Sequence, residues 1–285
     1  MRRMDARTVN ILRHTNNRFY TTQAASFSHT RQAPWPGWRR ALDAAVPGWR
    51  DRAVSDVLGT SHATGASARA PHWGLSLVDL ACGNLRFEAF LSTEAPGLVA
   101  RTLAVDDCEP LVARGKRAGN VSFASLDAVD ALARGSLAAD LRALLAEPAD
   151  LAVCFGFAHH VPGAEMRAAL VRALVSAVRP GGAVALSFWR FLDDPQRAAS
   201  YRQAHERNCS ALAAVDPAFD AAALEPGDCL LGWCDTDAIR YCHSFSDADL
   251  AALAACDPRA QVVARFDADG RSGHMNAYLV FRRMR

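Results

Sequence analysis

Lysine is almost absent from this chain. Lys116 is the only one among 32 basic residues, so the positive charge is guanidinium charge, suited to planar two-point contacts with carboxylate or phosphate. The eight cysteines form no Cys-x-x-Cys pair, which leaves a zinc or other metal site without its usual spacing. Cys82, Cys108, Cys154, Cys209, Cys229, Cys234, Cys242 and Cys256 lie scattered, several in strand-like runs where a free thiol acts as a small apolar side chain. That usage implies a reducing, cytoplasmic compartment. No apolar run reaches the roughly 18 residues of a membrane span, and the first residues lack the apolar core of a signal peptide. No membrane partner is expected. Internal repeats are missing too.

Apolar residues make up 51% of the 285, enough for the core of a folded α/β domain. The net charge of +2 is unevenly placed. Residues 1–52 hold ten Arg and three Asp, a net of 10 − 3 = +7, which leaves 2 − 7 = −5 for the rest. A basic arm ahead of an acidic body suits a nucleic-acid or phosphate contact. The chain-wide preference for Arg is the plainer explanation.

Residues 8–30 space Val9, Leu12, Phe19 and Tyr20 at loosely helical intervals. Pro34-Trp35-Pro36-Gly37 makes a stiff turn, and a short helix follows through Trp38, Leu42 and Val46. Residues 1–58 read as an N-terminal helical cap, and the small polar stretch 59–74 as a linker to a domain over 75–285. From residue 75 the pattern alternates. Strands are expected at Leu75–Ala81, Leu98–Val105, Val121–Ser125, Leu151–Phe155 and Ala183–Trp189, the last after an Arg179-Pro180-Gly181-Gly182 turn. Helical patterns fill the gaps, among them an Ala/Leu-rich run over 128–147 broken by one Gly, and a helix over 164–178. Such alternation implies a mostly parallel sheet covered on both faces. Gln261–Phe266 and Ala277–Phe281 add an antiparallel hairpin, giving seven strands with only the penultimate one reversed. Residues 193–258 read as helices and loop, part of a substrate lid.

The chemistry-bearing residues fall at strand ends. Asp79 sits late in the first strand, and Ala81, Cys82, Gly83 and Asn84 turn into the next helix. Small residues there let the backbone pass close to a ligand, and helix amides can bind a polar or anionic group. A full Gly-x-Gly-x-Gly is lacking, because Ala81 and Leu85 occupy its first and third positions. Ala replaces Gly easily; Leu85 requires a negative φ and more room. Asp106 follows Gly83 by 23 residues, at the end of the second strand, where a carboxylate accepts hydrogen bonds from both ribose hydroxyls of a nucleotide-like cofactor. Asp107 competes for that role. Asp127, just past the third strand, can reach an adenine amino group, and Phe155 ends the fourth strand. Each Asp alone is equally a helix N-cap; their common register on one sheet is what favours a cofactor. A dehydrogenase would share the first two signals. The fourth strand, the Arg-Pro-Gly-Gly turn and the C-terminal hairpin favour a Rossmann-like class I methyltransferase, with S-adenosylmethionine (SAM) as cofactor.

Four segments resemble the eukaryotic wobble-uridine tRNA methyltransferases, which esterify 5-carboxymethyluridine. They are Phe19-Tyr20 through Phe27-Ser28-His29-Thr30-Arg31 to Pro34-Trp35-Pro36; Asp79 to Phe87; Ala158-His159-His160 with Arg179-Pro180-Gly181-Gly182; and Gly227-Asp228 to Trp233 with Arg240-Tyr241-Cys242-His243-Ser244-Phe245. The first and last are the selective ones, since the SAM motifs are common to a superfamily. That family usually has Gly where Leu85 stands and an aromatic residue where Cys242 stands, and the stretch 47–74 looks inserted. In eukaryotes it works with a small zinc-binding activator subunit. The resemblance implies methyl transfer to a carboxylate of a modified wobble uridine in tRNA. A small-molecule O- or N-methyltransferase and a non-catalytic SAM-binding protein are the alternatives. The basic arm favours the first reading, and Leu85 favours the last.

Methyl transfer of that kind is an in-line displacement at a sulfonium. A carboxylate is already ionised near neutral pH and needs positioning and desolvation rather than a base. Arg31 and Arg240 are the candidate forks for it. His159 and His160 follow the fourth strand at the rim, where either can line the acceptor pocket; His159 joins the two Arg as a catalytic candidate. Trp35, Trp233, Tyr241 and Phe245 are candidates to stack on a flipped base, although single aromatics are more often core.

Overall fold

A computed structural model describes residues 4–50, 74–234 and 236–285. Arg2, Arg3, the end of the expected cap and nearly all of the expected linker lie outside these residues. Five short apolar runs pair side by side in parallel: β1 (Leu75–Leu80), β2 (Val99–Asp106), β3 (Val121–Ser125), β4 (Ala149–Cys154) and β5 (Val178–Trp189). Near-continuous burial along β1 and β4 is what a parallel strand covered on both faces requires. β8 (Ala260–Ala268) and β9 (Asn276–Arg283) complete a seven-stranded sheet in the order β3-β2-β1-β4-β5-β9-β8. β9 runs antiparallel to both its neighbours, so the penultimate strand is the reversed one. One difference concerns Arg179–Gly182. These residues do not precede β5 but lie within it, at a register irregularity where Gly181 takes φ +78°.

Helices cover both faces. On one side, α5 (Ala128–Ala133), α6 (Leu137–Leu144) and α7 (Ala164–Ala177) bury leucines and valines against Val78, Ala152 and Val184. The Gly break in the long Ala/Leu run is real: Gly135, at φ +71°, separates α5 from α6. On the other side, α2 (Pro36–Ala45) and α3 (Arg86–Glu94) bring Trp38, Phe87 and Phe90 onto Leu77, Leu151 and Tyr278. Gly37 lies so close to Tyr278 that a Cβ would fall 2.4 Å from its ring, so only glycine fits there. The short α4 (Glu109–Val112) follows β2.

α1 (Ala6–His29) starts at Asp5, whose carboxylate accepts the Thr8 N–H at 2.9 Å. Val9, Leu12, Asn16 and Phe19 form its buried stripe at helical spacing. Fully burying Leu12 or Phe19 stabilises the packing by about 1.5–3 kcal/mol each. Asn16 is polar in that stripe for a reason: its amide oxygen accepts the Tyr241 N–H at 2.7 Å, and its amide nitrogen donates to the Tyr241 carbonyl at 3.2 Å. It thereby satisfies a strand edge from a helix.

That strand belongs to an element the sequence reading omits. Within 193–258, α8 (Ala198–Val215) and α9 (Asp247–Ala254) flank a two-stranded antiparallel hairpin, β6 (Asp228–Trp233) and β7 (Thr236–His243). β7 is buried continuously from Arg240 to His243, so its residues show no alternation of polar and apolar side chains.

Candidate functional site

The chain leaves β1 at Leu80 and enters α3 at Arg86. Between them Ala81, Gly83 and Leu85 have φ values of +63°, +55° and +56°. Glycine adopts that region freely, whereas other residues lose about 1–2 kcal/mol in it. All three alternate positions therefore keep a glycine-loop backbone, although only one is glycine. The negative φ expected for Leu85 is corrected here. Leu85 is buried among Cys82, Ala104, Val112 and Val121, and that burial, about 1.5–3 kcal/mol, offsets the strain.

Asp106 secures this turn. Its Oδ2 accepts the Gly83 N–H and its Oδ1 the Cys108 N–H, each at 2.8 Å. A carboxylate has about four acceptor positions, so two remain for hydroxyl groups. Burial raises its pKa, and the backbone bonds oppose the shift. Asp107 is pushed up to about 7 by burial and by the charges of Asp106 and Asp127. Asp127 is both things the sequence allowed, an N-cap and part of the cavity wall. Its Oδ1 accepts the Asp130 N–H at 2.8 Å, and its Oδ2 accepts from Asn17 at 3.2 Å. Asp79, Ala81, Cys82, Gly83, Asn84, Asp106, Asp107, Asp127 and Phe155 line one cavity at the carboxyl ends of the strands. The Asn84 amide nitrogen donates to Ser28 Oγ and to the Arg31 carbonyl, both at 3.1 Å, tying the N-terminal arm to the turn.

A second cavity adjoins the first. Tyr20, Phe27, Arg31, Trp35, Arg86 and Gly156 line both. His159, Trp189 and Arg240 lie on its far side. Three guanidinium groups here rest on aromatic rings: Arg31 over Phe27 at 5.1 Å, Arg86 over Trp35 at 4.8 Å, and Arg240 over Trp233 at 5.1 Å. None of the three has a carboxylate partner among the described residues. The buried Nε atoms of Arg86 and Arg240, and Nδ1 of His159, have no hydrogen-bond partner at all. Burial and the neighbouring Arg240 lower the pKa of Arg31; burial and Arg31 lower that of Arg86 to about 10.

The histidines are wired differently from each other. His160 Nδ1 lies 2.8 Å from the Tyr241 carbonyl, which can only accept, so Nδ1 carries the proton. Nε2 must then accept from the Tyr20 hydroxyl at 2.6 Å. Burial and Arg240 lower the pKa of His160 to about 3. Burial and His160 lower that of His159 as well. Neither ring is an effective base near neutral pH. Donor atoms of His159, His160 and Cys242 lie within 4.8 Å of one another, a grouping no Cys-x-x-Cys search would find. Both His160 nitrogens are already engaged, so this is a polar core cluster.

No family model and no curated protein matches the sequence. Among solved structures, the chain is similar to a SAM-dependent methyltransferase from Anabaena variabilis, at 17% identity and a TM-score of 0.51, over 99% of this chain and 98% of that one. It is also similar to a SAM-dependent methyltransferase from Methanosarcina mazei, at 14% identity and a TM-score of 0.50, over 74% and 93%. The fold is that of class I SAM-dependent methyltransferases.

On this methyltransferase fold, all nine residues expected at the cofactor reach one cavity, and Arg31, His159 and Arg240 reach the adjoining one. The stacking residues divide. Trp35 lines both cavities. Trp233 supports Arg31 and Arg240 from behind and donates to Ser26 Oγ at 2.9 Å. Tyr241 and Phe245 are fully buried and have no face free for a base, which corrects their reading. Tyr20, Arg86 and Trp189 were missed. Arg86 stands directly after the turn, where its position offered a signal. Tyr20 lay in the selective N-terminal segment but was not singled out, and Trp189 carried no signal beyond being aromatic at a strand end.

Proposed function

We propose that the protein is a SAM-dependent methyltransferase whose acceptor arrives already anionic, as a carboxylate on a modified wobble uridine of tRNA. The observation that carries this is the set of three guanidinium groups beside the cofactor cavity, Arg31, Arg86 and Arg240, that have no carboxylate partner among the described residues. A buried cation without a partner is costly, and a carboxylate would satisfy the free N–H groups in two-point fashion. The neighbouring histidines fit the same reading, since a pre-ionised nucleophile needs no base. For tRNA the support is the arm: Arg7 and Arg18 are exposed on α1, outside its buried stripe, where phosphates can reach them.

The residues present fit SAM. Asp106 keeps acceptor positions for ribose hydroxyls, Asp127 stands where an adenine amino group would be met, and Asp79 faces the methionine end. When bound, SAM supplies an electrophilic methyl group on a sulfonium. Arg31 and Arg240 orient the carboxylate, and the Phe27, Trp35 and Trp189 rings exclude water from it.

Arg31→Ala tests the clamp. It should abolish methylation of tRNA carrying 5-carboxymethyluridine, read by nucleoside mass spectrometry, while S-adenosylhomocysteine (SAH) affinity stays within about twofold. Arg31→Lys should also fail, because a point charge does not replace a fork. Normal turnover by Arg31→Ala contradicts the clamp. Failure of the wild type to modify any RNA, with SAH still bound, hands the site to a small anionic metabolite.

A further inference from the structure

Two more guanidinium groups line the second cavity. α8 turns one side toward it, through Ser200, Tyr201, Ala204 and Arg207, and Arg197 lines it from the residue just before the helix. The adjoining side fixes the helix on β6. There Asn208 Nδ2 donates to the Leu230 carbonyl at 2.9 Å, and the Leu230 N–H donates to His205 Nδ1 at 3.1 Å. Arg197 and Arg207 are exposed, and neither guanidinium has a hydrogen-bond or ion-pair partner among the described residues.

The charge along this cavity is out of balance. Arg31, Arg86, Arg197, Arg207 and Arg240 face a single carboxylate, Asp269, an excess of 5 − 1 = 4. Asp269 is already engaged: its Oδ1 accepts the Gly37 N–H at 2.9 Å, and its Oδ2 accepts from the Asn276 amide at 2.8 Å and the Tyr278 hydroxyl at 2.5 Å. One acceptor carboxylate, oriented by Arg31 and Arg240, neutralises only one charge of that excess. The arginines also differ in kind. Arg240 is 7% exposed and enclosed by rings, so it can hold one group in a fixed geometry. Arg197 and Arg207 are solvated, as contacts to a run of phosphates are. They stand ten positions apart, about 15 Å along a helix axis, far enough to serve two phosphates.

We propose that the cavity side of α8 is a track for an RNA backbone, with Arg197 and Arg207 holding phosphates of the strand that delivers the acceptor nucleoside to Arg31 and Arg240. The inference rests on the tRNA reading above and adds the surface that distinguishes a polymer from a small anion. Each nucleotide beside the acceptor brings one negative charge, so the flanking strand supplies the anions that a lone carboxylate does not.

The test titrates the SAH-bound protein with an anticodon stem–loop RNA carrying 5-carboxymethyluridine, by fluorescence anisotropy at several salt concentrations. Arg197→Gln and Arg207→Gln should each reduce the slope of log affinity against log salt by about 0.7, the value for one phosphate contact on a single strand. The double variant should bind the RNA roughly tenfold more weakly at low salt. Its SAH affinity, its thermal melt and its binding of the free nucleoside, which has no phosphate, should not change. Arg202→Gln removes the same charge from an exposed position of α8 outside the cavity, and should leave the slope as it is. An unchanged slope in the double variant, or an equal drop in Arg202→Gln, overturns the track and leaves the tRNA reading standing. Wild-type protein that binds SAH but no RNA overturns that reading, and the track with it.

Discussion

The two cavities that meet at Tyr20, Arg31 and Arg86 differ in charge on their outer walls: carboxylates lie on the far wall of the first and a further guanidinium, Arg240, on the far wall of the second. The first gathers Asp79, Asp106, Asp107 and Asp127 at the strand ends. The second gathers Arg31, Arg86 and Arg240, held on aromatic rings instead of carboxylates. Within one site, acids and bases a short distance apart would normally pair. Apart from Arg13, which lies 3.6 Å from Asp127, they stay apart because each set is anchored locally. Asp106 is held by two backbone amides, and Arg240 is enclosed by Phe19, Trp189 and Trp233. Such a division leaves one cavity suited to a cation and its neighbour suited to an anion. A sulfonium methyl donor and a carboxylate acceptor are a pair of that kind.

The division can be broken from either side. Removing the acid end should have the largest effect. Asp106→Ala deletes the acceptor proposed for two ribose hydroxyls, at about 1.5–3 kcal/mol per bond, so SAH affinity measured by calorimetry should fall roughly a hundredfold or more. Binding within a few fold of wild type would separate Asp106 from the ribose role. Removing the basic end should leave that affinity alone. Arg240→Met keeps the stem that packs on the rings and loses one charged hydrogen-bonding group, so methyl transfer should fall at least about tenfold. A matching loss of SAH affinity would mean that the two cavities are not independent.

Smaller effects sharpen the contrast with a charge cluster elsewhere. His243 is buried, with Nδ1 2.7 Å from Asp228 and Nε2 3.6 Å from Asp249. Burial alone would lower its pKa, but the hydrogen bond to Asp228 and the nearby Asp249 carboxylate outweigh it and raise it. A raised histidine stabilises the fold fully below its unfolded pKa and loses that contribution as pH rises through the folded value. Thermal stability should therefore decline as pH rises above the ordinary histidine value of about 6.5, and His243→Gln should flatten the profile. An unchanged slope in that variant would assign the decline to other groups. Smallest of all is Ala81→Gly. It relieves left-handed strain at φ +63° and should raise stability by about 0.5–1 kcal/mol in thermal melts without weakening SAH binding. A loss of stability would show that Ala81 is not strained.

The acid cavity was legible in the sequence, and the basic one only in part. Asp79, Asp106 and Asp127 recur at successive strand ends, so the alternation that reveals a parallel sheet also reveals them. Arg31 and Arg240 were found through selective local segments, but their convergence depends on Asn16 joining α1 to β7, a contact across 225 residues. The β6–β7 hairpin was missed because burial on both sides erased its alternation. Leu85 was misjudged because packing can hold a side chain at a φ that local preference disfavours.

The most direct test of opposite charge is a two-step titration on the wild-type chain. SAH is added first, and then 5-carboxymethyluridine or its methyl ester is added to the SAH complex. SAH should bind the free protein, and the complex should then bind the acid but not the neutral ester. No binding of SAH, or equal binding of acid and ester, would contradict the account.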